Sequence, residues 1–125
     1  GMGRNKEGLQ QAIDKIKAIK KEFWTNVYIP GKGDDLNVEL EKALRVADFI
    51  EIGNLMARDA LQREESCGGH FREEYQTPEG EAMRNDDDYA FAACWKYMGE
   101  NADPVLLKER LDYEFIQRQQ RNYKA

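Results

Sequence analysis

Glu65-Ser66-Cys67-Gly68-Gly69-His70-Phe71-Arg72-Glu73-Glu74-Tyr75 stands where a long helical pattern stops, and it holds the single histidine of the 125-residue chain. A helix end commonly asks for one left-handed residue, usually glycine. Here two glycines come together and are followed at once by an imidazole, a guanidinium and two carboxylates. That is more polar specificity than a helix stop requires.

Upstream, Leu9, Ile13, Ile16, Phe23 and Val27 recur at steps of three, four or seven, with Lys15, Lys17, Lys20 and Lys21 mostly opposite. This spacing predicts an amphipathic helix from about Lys6 to Trp24. Tyr28-Ile29-Pro30-Gly31-Lys32-Gly33 breaks it, because proline removes a donor and glycine tolerates the turn. Asp34 or Asp35 is the expected N-cap of the next helix. A second helix is predicted from about Leu36 to Glu65, with a stripe of Leu36, Leu40, Ala43, Leu44, Ala47, Ile50, Asn54, Ala57 and Leu61. Its small residues, Ala43, Ala47, Gly53, Ala57 and Ala60, predict close helix neighbours. Val38, Phe49, Ile52 and Leu55 lie off the stripe, so a second apolar face calls for a second covering surface.

Downstream, Asn85 to Asp88 offers capping oxygens and negative charge to a helix N-terminus. A third helix is expected there, carrying Tyr89, Phe91, Ala92, Cys94, Trp95 and Met98 and ending at Gly99. Beyond Pro104, Val105, Leu107, Leu111, Tyr113 and Phe115 alternate, which suits an extended edge strand, although Leu106 to Leu111 would also make a helix. The expected fold class is mostly α: a three-helix bundle, spectrin-repeat-like, with a long central helix and an extended C-terminal tail. Residues 1–125 read as a single domain.

Several motifs together resemble one family. The Glu65–Tyr75 stretch is similar to the Glu-Ser-Arg-Gly-x-His-x-Arg-x-Asp-Tyr signature of the C-terminal helical domain of succinate dehydrogenase and fumarate reductase flavoprotein subunits. L-aspartate oxidases share a shorter version. Gly3-Arg4-Asn5-Lys6-Glu7-Gly8-Leu9 resembles that domain's usual opening, and Leu55 to Leu61 its small-residue helix before the signature. Arg84-Asn85-Asp86-Asp87-Asp88-Tyr89 resembles the Arg-Asp-Asp-x-x-Trp that follows, and Arg121-Asn122-Tyr123 the Arg-x-Tyr ending. Cys67 departs from the usual arginine and Glu74 from the aspartate, while Gln76 to Met83 reads as an insertion.

The resemblance implies an excised C-terminal domain of a larger flavoprotein, with Gly1-Met2 an added glycine and a start methionine. The parent enzyme would interconvert succinate and fumarate on FAD and pass electrons to an iron–sulfur subunit and a membrane-anchored quinone site. The fragment itself would hold no cofactor and not catalyse alone. Its partners would be the upstream flavin-binding domain of the same chain and the iron–sulfur subunit, peripheral on the inner face of the cytoplasmic membrane. The interface set implied is Glu65, Ser66, Gly68, Gly69, His70, Arg72, Glu74, Tyr75, Arg84, Asp86 and Asp87. On this reading the loop from Cys67 to Tyr75 lacks some of its polar partners when the domain is alone, and Arg72→Ala barely changes the fragment's stability. The alternative is a free-standing helical protein–protein interaction module.

Composition narrows the field further. Lys and Arg number 19 against 24 Asp and Glu, a balance of −5 with no long run of one sign. That argues against a nucleic-acid groove or a polybasic membrane anchor. No apolar run approaches the roughly 18 residues of a membrane span. Cys67 and Cys94 lack a C-x-x-C partner, which suits a reduced, cytoplasmic setting. Gly31-Lys32-Gly33 lacks the third glycine and the strand–turn–helix unit of a dinucleotide site. A Cys67–His70 dyad lacks an orienting third group. One histidine with two distant cysteines is thin for zinc, and Asp86 to Asp88 lacks the alternation of a calcium loop.

Overall fold

A computed structural model of the chain describes residues 3–33 and 36–120. The expectations placed on Gly1-Met2, on Asp34 and Asp35 as caps, and on Arg121-Asn122-Tyr123 lie outside the described residues. Among the described residues five elements follow one another: α1 (Lys6–Asn26), α2 (Val38–Gln62), α3 (Asp86–Tyr89), β1 (Phe91–Lys96) and β2 (Val105–Arg110). They fall into two compact units. One is the helical hairpin Lys6–Leu61; the other joins the opening residues through Asn5 to the chain from Gln62 onward.

In the hairpin, the connection turns on Gly31, whose φ of +117° suits glycine. A Cβ there would come within 2.6 Å of the Asn37 amide nitrogen. That amide is the working cap of α2: Asn37 Oδ1 accepts from the backbone of Glu39 and Leu40, both at 3.1 Å, while Nδ2 donates to the Pro30 carbonyl. The helices run antiparallel, with Gly53 against the Ile16 side chain and Lys20 paired to Glu51. On that register Ile13 and Leu9 fall opposite Ala57 and Ala60, and all four are buried. Beside that contact α2 leaves Val38, Phe49, Ile52 and Met56 exposed, with Phe49 at 65 %, and Leu40 and Leu44 of the expected stripe are exposed as well. Of the residues expected on a second apolar face, Val38, Phe49 and Ile52 are exposed and Leu55 is half-buried.

The bundle expectation fails at its third member. The helix beginning at Asp86 is four residues long, and Phe91 to Lys96 is a strand. The segment is apolar at almost every position, so a helical stripe and a strand face are equally available, and cross-strand pairing decides. β1 and β2 are antiparallel, with Phe91 opposite Arg110, Ala93 opposite Lys108 and Trp95 opposite Leu106. Gly99, at φ +108°, lies in the link between strands rather than ending a helix. With two long helices among the described residues, α2 is half of a hairpin and not the centre of three.

The extended reading of the tail holds for Val105–Arg110, but its inward face is unexpected. Phe91 is buried and Trp95 and Leu106 half-buried, whereas Val105, Leu107 and Leu111 lie on the exposed side. The Lys108 ammonium sits 4.5 Å from the centre of the Phe91 ring, a cation–π contact that suits an amphipathic lysine on the covered face.

Candidate functional site

The signature residues form a polar knot within the second unit, and its geometry begins with the glycine pair. Cys67 and His70 exchange both backbone hydrogen bonds, 2.8 and 3.0 Å, across a two-residue turn. Gly68, first of the two linking residues, has φ +58°, where an L side chain is strained. The glycines therefore build a tight hairpin turn after the helix, not its cap. The insertion from Gln76 to Met83 folds back on itself. Gln76 and Ala82 form an antiparallel bridge, and Met83 returns to the loop by accepting from the Ser66 amide and donating to the Tyr75 carbonyl.

Arg72 is the centre of the knot, at 1 % exposure. A guanidinium taken out of water must be paired and hydrogen-bonded or its burial is prohibitive. Its Nε donates to Glu74 Oε2 at 3.0 Å, its Nη1 donates to the Arg63 carbonyl, and its charge lies over the Tyr75 ring at 5.3 Å. Burial pushes the Tyr75 hydroxyl upward from its ordinary value. Ser66, fully buried, ties both sides of the Arg72 backbone through its hydroxyl. The expectation of a loop short of partners is overturned: Glu65, Ser66 and Arg72 are the buried polar residues among those described, and each has partners inside the chain. Among the described residues, the buried side-chain atom lacking a partner is the Gln62 amide nitrogen.

Arg63, which the sequence reading did not single out, fastens the knot to the strands. Its Nη1 donates to Glu65 Oε1 at 2.7 Å and to the Tyr89 carbonyl, its Nη2 reaches the Phe91 carbonyl, and its charge lies 5.6 Å from the centre of the Tyr89 ring and 5.0 Å from that of Phe91. Glu65 then accepts from the Asn85 amide with its other oxygen at 2.9 Å. Asn85 caps α3 by accepting from Asp88. Tyr89 donates its hydroxyl to the Gln62 carbonyl at 3.2 Å, so the short helix is bonded to the last residue of α2.

Arg84 and Asp86 form a forked pair, with the hydrogen bond to Asp86 raising the Arg84 pKa. Arg84 also donates to the Gln119 carbonyl, Arg118 to the Asp86 carbonyl and Gln120 to the Ala82 carbonyl. The tail is thereby bonded back to the segment after the signature.

The histidine joins the opening of the chain to this knot. Arg4 forms a parallel bridge with Arg72: its amide donates to the Phe71 carbonyl at 3.0 Å and its carbonyl accepts from Glu73 at 2.8 Å. His70 Nε2 lies 3.1 Å from the Arg63 carbonyl and Nδ1 lies 3.1 Å from the Arg4 guanidinium. A carbonyl only accepts and a guanidinium only donates, so the ring is neutral with its proton on Nε2. Desolvation holds the His70 pKa below its ordinary value, and the charges of Arg4, Arg72 and Arg63 push the same way; the Arg63 carbonyl opposes them.

Of the residues singled out from sequence, Glu65, Ser66, His70, Arg72, Glu74 and Tyr75 come together with Arg84 and Asp86 along one stretch of unit. Gly68 and Gly69 supply the turn. Asp87 is exposed on α3 and outside the knot. Chemically the knot is a brace. Both nitrogens of His70 are engaged, so it cannot serve Cys67 as a base, and among the described residues no group of His, Cys, Asp or Glu is placed to hold a metal ion. The described sheet is two antiparallel strands, with no parallel strand–turn–helix unit of the dinucleotide-binding kind among the described residues.

Comparison with known proteins gives one consistent answer. The profile of the family described as "Fumarate reductase flavoprotein C-term" matches residues 1–123. An uncharacterized FAD-dependent oxidoreductase of Methanocaldococcus jannaschii is 31 % identical over 72 residues, covering 58 % of this chain and 12 % of the relative. A fumarate reductase flavoprotein subunit of Haemophilus influenzae is 24 % identical over 75 residues, 60 % of this chain and 12 % of the relative. Among solved structures, the FrdA chain of an E. coli quinol fumarate reductase variant superposes with a TM-score of 0.79 at 22 % identity, over 96 % of this chain and 20 % of that one. A quinol–fumarate reductase with menaquinol molecules gives 0.76 at 22 %, over 94 % and 19 %. At those identities the structural likeness speaks for the fold alone. The chain spans 12 % of the length of both curated relatives.

Proposed function

The chain belongs to the family of fumarate reductase flavoprotein C-terminal domains, and on that premise we propose that it braces the flavin-binding part of a larger FAD-dependent subunit. That parent interconverts succinate and fumarate. The chain also shapes the surface that meets an iron–sulfur subunit, and the complex sits peripherally on the inner face of the cytoplasmic membrane. Flavin and substrate are held by other parts of the parent.

The observation that carries the reading is the match over residues 1–123, in which the signature stretch is the buried knot of the second unit. The exposed apolar face of α2 supports a bracing role, because a face of Val38, Phe49, Ile52 and Met56 in water is a face built for a neighbour. No described helix is long and apolar enough to cross a membrane.

The test is recovery of the full-length parent, scanned for flavin absorbance and for succinate–fumarate turnover. Bound flavin and turnover in the parent, both missing from the 125-residue piece, are the expected result. A parent that binds no flavin overturns the reading.

A further inference from the structure

We propose that His70 is a proton-sensitive latch: its neutral ring fastens the opening segment, residues 3–5, to the signature loop, and its protonation releases that segment. The geometry rests on the Arg4 guanidinium donating to Nδ1 at 3.1 Å while Nε2–H donates to the Arg63 carbonyl at 3.1 Å. An imidazolium has no acceptor nitrogen. Gaining a proton therefore turns the Arg4–His70 bond into two donors facing each other.

The surroundings offer that proton nothing in return. The charged groups facing the ring are three guanidiniums: Arg4 from the opening segment, Arg63 from the residue after α2 and Arg72 from the loop itself. The carboxylates of the knot are already engaged, Glu65 with Arg63 and the Asn85 amide, Glu74 with Arg72, and Glu73 with Asn5. Beyond the latch, the opening segment is tied to the loop by Arg4 N–H to Phe71 O and Glu73 N–H to Arg4 O. Those two amides report its attachment. By linkage, any force that draws the opening segment away makes His70 easier to protonate.

Nuclear magnetic resonance on the 125-residue chain tests this, since its single histidine gives one set of ring signals. Long-range ring nitrogen spectra at pH 7.5 are expected to show the Nε2–H tautomer. Amide-exchange protection factors are then compared above and below the His70 midpoint. Arg4 and Glu73 are expected to lose about tenfold or more, the scale of a lost charge-assisted hydrogen bond, while the Cys67 and His70 amides across the glycine turn keep theirs. In His70→Asn, the amide oxygen replaces Nδ1 as acceptor and has no proton to gain, so protection at Arg4 becomes independent of pH. An Nδ1–H tautomer, unchanged protection at Arg4 and Glu73, or equal loss at all amides overturns the latch. So does an acid loss in His70→Asn matching the wild type. The wild-type comparison decides the matter even where the variant is too unstable to study.

Discussion

Ser66 and Arg72 close a two-way bond: the Ser66 hydroxyl accepts from the Arg72 amide at 2.8 Å and donates to the Arg72 carbonyl at 3.1 Å. One hydroxyl thereby reaches both backbone groups of a buried arginine six residues away, and the Arg72 carbonyl also accepts from the Tyr75 amide. Ser66→Ala strands the buried Arg72 amide, while the Arg72 carbonyl keeps its bond from the Tyr75 amide at 2.9 Å. The expected loss is about 2 kcal/mol in urea unfolding, since a buried group left unpaired costs its full desolvation. A loss below about 0.5 kcal/mol would mean the loop is held elsewhere.

Arg72→Ala is expected to cost about 3 kcal/mol, the lower end for removing one member of a buried ion pair, because Glu74 keeps part of its side chain in water. This reverses the expectation drawn from sequence. Arg72→Lys should recover little of the loss, since an ammonium cannot bond Glu74 and the Arg63 carbonyl in one plane. Thermal unfolding of both variants checks this.

His70 adds a pH dependence whose sign follows from its lowered pKa. The unfolded chain takes up a proton near pH 6.5, before the folded chain does. Its contribution is therefore fully present above about pH 6.5 and is lost as pH falls toward the folded value. Stability curves of the wild type and His70→Asn should diverge below pH 6.5 and run parallel above it. Parallel curves throughout would refute the assignment.

Gly31→Ala places a Cβ at φ +117° and within 2.6 Å of the Asn37 amide that caps α2. The expected loss is about 2 kcal/mol from backbone strain and a displaced cap. Gly33→Ala, with open space around the same point, is the control and should change stability little.

Phe49→Glu and Ile52→Glu fall on the exposed face of α2, where surface changes stay within about 0.5 kcal/mol of the wild type. In the parent, the same changes should reduce recovery of flavin-loaded subunit, measured as flavin absorbance per chain. Unchanged flavin loading would remove this face from the bracing surface.

Local pattern made the helical hairpin legible: the apolar spacing from Leu9 to Phe23, the Pro30-Gly31 break and the small residues of α2 are all short-range signals. The strand at Phe91 to Lys96 was not legible, because a run apolar at nearly every position carries no period and only its partner β2 fixes it. The composition of the knot could be read in Glu65 to Tyr75, but its self-sufficiency could not. Arg4 meets His70 across 66 residues of sequence, and Arg63 looked like an ordinary polar residue at a helix end. Such pairings are decided by tertiary approach, which spacing along the chain does not encode.

The opening residues and everything after α2 belong to one unit, with Lys6–Leu61 as an excursion between them. That arrangement sets an order of folding events. The hairpin is closed by nearby contacts and forms early, whereas the bridge between Arg4 and Arg72 must wait for a closure between positions 68 residues apart, whose entropic cost is met late. Substitutions in the polar knot should accordingly act on the unfolding limb of a chevron and leave the folding limb nearly unmoved.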